Sequence, residues 1–337
     1  MTRPIFSKQA IRAALTCALV VFAGCAEDAP QDYLKPEGPI ATRIDELWDV
    51  TFLIAAVIFV IVEGLLVFAL FKFRERPGRE AAQFHGNTKV EILLTVIPAL
   101  ILAGLAVPTV ATVMDLSQKP TGDILEIKVV ARQFWWEYQY TDLDVVTANE
   151  MHVPVDRPVY LTLEGDDVIH SFWIPKLTGK QDVIPGRVNN MQFIADEPDR
   201  EYWGQCTEYC GLSHANMRLR VYTHTPQDFD AWVEDQAADA ESPTDSLAAE
   251  GENIFLEGEC VNCHAIRGTE AQARSGPDLT HFGARNTFAG AMFKNNTENL
   301  AAWLRDPPAM KPGSLMPDYG LSEDEIDALV AYLQSLR

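Results

Sequence analysis

The 337-residue chain is 47% hydrophobic and 22% charged, which excludes a wholly disordered protein and suggests two or three domains. Its 27 Lys+Arg stand against 48 Asp+Glu, a net charge of −21; nucleic acid is excluded as the main partner, because phosphate binding needs clustered cations. Residues 1–114 are close to neutral at net −1, while residues 115–337 carry net −20. A membrane anchor bearing an acidic water-soluble part is the simplest reading; the acidity serves either solubility or the steering of a basic partner.

Residues 1–25 read as a signal sequence. Arg3, Lys8 and Arg12 form a positive start, and Ala13–Ala23 is apolar but too short to span a bilayer. The stretch ends in Phe22-Ala23-Gly24-Cys25, which resembles a bacterial lipoprotein cleavage box with Cys25 as the lipidated residue; ordinary cleavage near Ala26 is the alternative. Two longer apolar segments follow within residues 46–114. Val50–Phe71 carries one charge, Glu63, and at 1.5 Å per residue extends about 33 Å, enough to cross. Ile92–Met114 is uncharged and holds Pro98 and Pro108, which would kink the helix or bound its ends. The loop at about 72–91 contains Lys72, Arg74, Arg76 and Arg79, so it is expected on the cytoplasmic side and everything after about residue 115 outside. Glu63, in mid-span, is expected to face a partner subunit or a cavity. Glu91, at the cytoplasmic mouth of the second span, reads by itself as an interfacial charge.

Residues 120–225 look like strands, as in Ile124–Val130 and Val159–Leu163, with Gly, Pro and Asp clusters between them; they predict a small all-β sandwich or barrel within a domain of residues 115–235. Residues 236–250 are small, polar and acidic, and read as a linker or frayed helix. Residues 251–337 predict an all-α domain. Its last helix starts at an N-cap Ser322 and buries a stripe of Ile326, Leu329, Val330 and Leu333.

Six cysteines sort the chemistry. Cys17 and Cys25 fall in the signal, and the other four form two close pairs. Outside the cytoplasm a disulfide is the bland reading of such pairs, and in both cases the neighbouring residues argue against it. Cys260-Val-Asn-Cys263-His264 is the C-x-x-C-H attachment motif of c-type haem, in which two thiols bond the macrocycle and the His reaches the iron. A sixth ligand is needed, often Met. Met316 is favoured over Met310 and Met292, because Lys311-Pro-Gly-Ser-Leu-Met316-Pro317 resembles the distal loop of cytochromes c. The other pair lies in Cys206-Thr-Glu-Tyr-Cys210-Gly-Leu-Ser-His214-Ala-Asn-Met217, where soft sulfur ligands and an imidazole suit copper. Two thiolates could bridge two copper ions, given a second imidazole, and His170 in Asp167-Val-Ile-His170 is the obvious donor. A closed zinc site of Cys206, Cys210, His214 and His170 is the alternative. His85, His152, His224 and His281 carry no comparable constellation and read as surface or structural.

Taken together, these residues resemble subunit II of haem–copper cytochrome c oxidase, in its bacterial form with a cytochrome c domain fused at the C-terminus. The resemblance covers most of the chain after residue 45. It implies a cupredoxin fold holding the binuclear CuA centre, with Cys206 and Cys210 bridging, His170 and His214 each on one copper, and Met217 and the Glu208 carbonyl as weak ligands. It also implies that the Glu208 carboxylate neighbours a magnesium or manganese ion at the border with subunit I. Thr178–Gly186 matches the segment beside that border, and Glu91 the carboxylate near a proton-uptake path. The implied setting is a bacterial inner membrane, with subunits I and III as partners and a cytochrome c or a quinol–cytochrome c reductase as outside donor. One departure stands out. The run Gln133-Phe134-Trp135-Trp136 has Phe134 where the family often has the Trp that receives electrons from soluble cytochrome c, so the attached haem is expected to be the immediate donor to copper, held at high effective concentration by its tether. The rival readings are the copper subunit of a related reductase, such as one acting on nitric oxide, a tethered redox shuttle or copper-delivery protein, and a disulfide-bonded binding module. A quinol oxidase subunit is disfavoured, because such chains lack these copper ligands.

Overall fold

A computed structural model describes Arg12, Thr16 and residues 29–78, 80, 83 and 85–337. Apart from Arg12 and Thr16, the expected signal sequence, with Cys25, lies outside the described residues. Two long helices come first, α1 (Pro39–Lys72) and α2 (Thr88–Leu116), each long and apolar enough to cross a membrane. Both outrun the apolar segments that mark them, because polar residues at their ends extend the helices. Pro39 opens α1, where a missing N–H costs nothing, and the Asn87 side chain caps α2 by accepting from Lys89 N. Pro98 and Pro108 both lie inside α2. Arg43 pairs with Asp115 across the hairpin, and Glu63 is exposed on α1.

Two five-stranded sheets form a sandwich. In one the order is β3 (Val145–Ala148), β2 (Trp135–Tyr140), β1 (Leu125–Arg132), β5 (Val159–Gly165), β8 (Asn189–Phe193). In the other it is β4 (Glu150–Pro154), β10 (Arg218–His224), β9 (Glu201–Cys206), β6 (His170–Trp173), β7 (Lys180–Val183). Alternate residues such as Ile127, Val129, Leu161 and Leu163 fill the space between them. Helix α3 (Pro226–Ala237) closes one end by setting Phe229 and Trp232 against Tyr140.

The segment 236–250 divides. Residues 236–237 finish α3, residues 238–245 are irregular, and residues 246–250 already belong to α4 (Ser246–Glu257). The last domain packs α4 against α7 (Glu323–Ser335), with a hairpin of β11 (Thr287–Phe288) and β12 (Phe293–Lys294) and helices α5 (Thr297–Arg305) and α6 (Pro307–Met310) between. Ser322 and Glu325 form a reciprocal capping box at the start of α7. Ile326, Leu329, Val330 and Leu333 are buried, which stabilises the domain by roughly 1.5–3 kcal/mol each.

The two water-soluble domains are docked, which is more than a tether provides. Glu150 of β4 is buried and accepts from Asn286 N (3.1 Å), Thr287 N (2.6 Å) and Thr287 Oγ1 (2.5 Å). Arg218 N donates to Gly290 O (3.1 Å), Ser213 Oγ to Pro312 O (2.6 Å), and Arg267 Nη2 to Asp144 O (2.6 Å).

Candidate metal centre and haem pocket

The copper-type ligands come together where β6 meets β9. Phe172 pairs with Cys206, which sets His170, the first residue of β6, beside Cys206, the last of β9. The chain then makes one excursion before returning as β10, closed at its base by Cys206 N to Met217 O (2.9 Å). A short turn over His214–Asn216 folds His214 back toward Cys210. The resulting separations are 3.8 Å between the Cys206 and Cys210 sulfurs, 3.8 Å from Cys206 Sγ to His170 Nδ1, 3.7 Å from Cys210 Sγ to His214 Nδ1, and 3.9 Å from Cys210 Sγ to Met217 Sδ. The Glu208 carbonyl lies 3.2 Å from Cys206 Sγ, and the residue itself is exposed.

These separations are within hydrogen-bond range for sulfur and also suit donors sharing a metal. Thiolate and imidazole at bond lengths of about 2.3 and 2.0 Å around a tetrahedral ion stand about 3.5 Å apart. All four described thiols are free. The pair readily gives up one proton. The Cys210 thiol's hydrogen bond, aided by His170, draws Cys206 down to about 4, and the same contact, with burial, pushes Cys210 up. His170 is held above its usual value: burial opposes the charge, but hydrogen bonds to Asp167 and Cys206 outweigh it.

Sequence reasoning quoted Asp167 without giving it a role. Its Oδ1 accepts from His170 Nε2 (2.8 Å), which commits that nitrogen and turns Nδ1 toward the sulfurs. Its Oδ2 accepts from Gln133 N (2.6 Å). Gln133 in turn donates from Nε2 to Cys210 O (2.6 Å), so the head of the aromatic run is tied to the backs of two ligands. Trp136 is fully buried and meets the His170 ring at 6.0 Å.

The second site is a cavity of about 630 Å³, cofactor-sized, whose walls include Cys260, Cys263, His264 and Met316. A tight turn over Glu259–Asn262 carries His264 N onto Cys260 O (3.0 Å), which brings both thiols and the imidazole to one wall. His264 Nδ1 donates to Pro277 O (2.7 Å), and burial holds the ring neutral, leaving Nε2 as its free ligand atom. Gly276 passes so close that a Cβ there would lie 2.8 Å from His264 Cε1. Met292 and Met310 lie outside the cavity wall. Arg285 also lines it; Nη2 donates to Asp278 O (2.6 Å), but the buried Nε has no partner among the described residues, which fits an anionic edge of a haem. Donor set, cavity and orphaned guanidinium nitrogen therefore suit a covalently held haem.

Phe134 and Trp135 of the neighbouring domain complete the haem cavity wall. The Phe134 ring is flanked by two glycines in the left-handed region. A Cβ on Gly211 (φ +129°) would stand 3.0 Å from Phe134 Cζ, and one on Gly313 (φ +84°) 3.4 Å from Phe134 Cε2. Lys311 is 3% exposed and donates from Nζ to Phe134 O (2.6 Å) and Ala289 O (2.9 Å). Burial draws its ammonium down to about 7, against the opposing pull of Cys210.

Three family models match in chain order: the transmembrane domain of cytochrome c oxidase subunit II over residues 31–112, its periplasmic domain over 143–223, and cytochrome c over 248–337. The chain is 40% identical over 322 residues to cytochrome c oxidase subunit 2 of Alkalihalophilus pseudofirmus, covering 93% of each. The chain belongs to the cytochrome c oxidase subunit II family. The corresponding subunit II of Bacillus sp. (strain PS3) is also 40% identical, over 79% of this chain and 80% of that one. A quinol oxidase subunit 2 from Bacillus spizizenii is 31% identical over 68% and 74%. Kinship within subunit II therefore leaves the electron donor open, and the His–Cys–Cys group of His170, Cys206 and Cys210 with the haem-type cavity must decide it.

His152 and His224 lie outside both sites, their rings stacked and joined at 2.8 Å (Nδ1 to Nε2). Glu91 is exposed in the first turn of α2.

Proposed function

We propose that the chain is the electron-input subunit of a proton-pumping terminal oxidase that reduces O2 to water in its subunit I. When bound, the haem and the copper pair each supply a one-electron carrier, haem c feeding CuA and CuA feeding subunit I. Cys260 and Cys263 would anchor the haem, and His264 and Met316 would reach its iron. Cys206, Cys210, His170, His214, Met217 and the Glu208 carbonyl would together hold the copper pair. Two metals sharing soft thiolates on a rigid sheet edge change geometry little between oxidation states, which suits rapid transfer.

The observation that carries the route is the Gln133–Phe134 pair. Phe134 walls the haem cavity, while Gln133 hydrogen-bonds the Cys210 carbonyl. An entering electron would thus pass two adjacent residues and one hydrogen bond between the two sets of ligands, with no need for an exposed docking Trp. The thiolate–imidazole set favours this reading over a quinol oxidase subunit.

The proposal extends to the surroundings. The Glu208 carboxylate would neighbour a magnesium or manganese ion at the border with subunit I, Thr178–Gly186 would lie beside that border, and Glu91 would stand at a proton-entry path. Subunit III completes the membrane partners, and a cytochrome c or a quinol–cytochrome c reductase supplies electrons. The setting is a bacterial inner membrane, with a cleaved signal, lipidation at Cys25 and both soluble domains outside.

The test is the metal content of the full-length chain matured with haem attachment and copper loading. Two copper per iron is expected. One copper or none, after loading is shown to work, overturns the CuA assignment and moves the tethered-shuttle reading to first place.

A further inference from the structure

Resting on that reading of the route, we propose that Lys311 is a positioning residue for the electron transfer. Its ammonium pins the Phe134 carbonyl, so that the Phe134 ring stays seated between Gly313 of the haem domain and Gly211 of the copper loop. One electron crosses; no bond forms or breaks and no proton moves.

Three segments meet at the Lys311 Nζ. The first is its own loop, which carries Met316. The second is the β11–β12 turn through Ala289 O, and the third is the aromatic run through Phe134 O. Space for the ammonium comes from Gly290 (φ +78°), where a Cβ would stand 2.7 Å from Nζ. Lys311 has no carboxylate partner among the described residues. A buried cation held by carbonyls alone is expensive, and a methionine of similar length would pack there at lower cost. General domain docking does not require it either, because Glu150, Arg218, Ser213 and Arg267 already join the domains. What Lys311 adds is a fixed place for the Phe134 backbone. Gln133, which reaches Cys210 O, is covalently next to it.

The test uses the intact, metal-loaded oxidase complex. Transfer from haem c to copper is timed after rapid reduction by an external donor. Lys311→Met removes the donors at similar length, and Lys311→Gln keeps an amide donor without the charge. Arg267→Met removes a different inter-domain contact, at the far end of β2 from Phe134. Lys311→Met is expected to slow the transfer several-fold, because electron tunnelling weakens with each ångström by which the Phe134 ring leaves its seat. The haem and copper spectra stay unchanged, and amide exchange over residues 133–135 rises in the chain lacking metals. Lys311→Gln recovers part of the rate, and Arg267→Met alters neither rate nor exchange. An unchanged rate in Lys311→Met overturns the proposal and leaves the route standing. Equal slowing in Arg267→Met also overturns it, because docking alone then suffices. If the wild-type complex reduces copper before haem c, the route itself fails and the Lys311 proposal with it.

Discussion

Replacing Asp167 by Asn should weaken copper binding without removing a ligand. The carboxylate accepts three hydrogen bonds: His170 Nε2 (2.8 Å) and Val168 N (2.6 Å) on Oδ1, and Gln133 N (2.6 Å) on Oδ2. An amide supplies one oxygen for these two sides. With the oxygen toward His170, the amide NH2 confronts Gln133 N donor to donor. Flipped, it confronts the His170 Nε2–H, and the imidazole can recover a bond only by moving its proton to Nδ1, the atom aimed at the metal. The first arrangement loses the Gln133 bond and the flipped one loses both the His170 and the Val168 bonds, so at least one bond to a charged group goes, at about 1.5–3 kcal/mol each. At 1.4 kcal/mol per tenfold, that is about 10- to 100-fold in affinity, the usual scale for groups that orient a ligand from behind. The assay is titration of the apo chain with copper against a competing chelator, followed by thiolate-to-copper absorption. Unchanged affinity in Asp167→Asn would show that the His170 orientation is set elsewhere and would refute the reasoning.

Glu37 joins Lys176 and Arg200 where the entry to α1 meets the sandwich; burial alone would raise its carboxyl, but the two cations outweigh burial and hold it below the ordinary range. Its folded value lies below its unfolded one, so its contribution of about 1 kcal/mol is present above the ordinary carboxylate range and lost as pH falls through the folded value. Urea unfolding should therefore separate wild type from Glu37→Ala at neutral pH and bring them together in acid; a gap that persists in acid refutes the ion-pair account. Gly276→Val should drive a side chain into the His264 ring and break its 2.7 Å bond to Pro277 O, so the haem spectrum of matured protein should lose its low-spin form. An unaltered spectrum would show that the loop gives way instead.

Chemistry was most legible where it was local. The C-x-x-C-H run fixes its own turn, and four of the copper-type donors sit on one excursion of twelve residues, 206–217, so spacing alone announced both. His170 was reached by asking what a second copper needs, and it is the β6–β9 pairing that delivers it. Two residues in quoted segments went unread. Asp167 lies three places from His170, an offset that could have flagged it, but its other partner, Gln133, comes from the turn between β1 and β2, 34 residues away. Lys311 was seen only as the start of the Met316 loop, and its acceptor Phe134 is 177 residues away. No periodicity encodes such a contact. Residues 246–250 illustrate the reverse limit: sequence leaves them between linker and frayed helix, and they join α4 because Ala248, Gly251 and Phe255 pack onto α7.

Two walls of different origin enclose the haem cavity, one from the domain that carries the attachment thiols and one from Phe134 and Trp135 of the copper domain. On the proposed assignment, a macrocycle attached at Cys260 and Cys263 would lie against Phe134 and Trp135, so its surroundings would be shared between two separate hydrophobic cores. A substitution in the copper domain at either aromatic would then reach the haem without touching the domain that carries it.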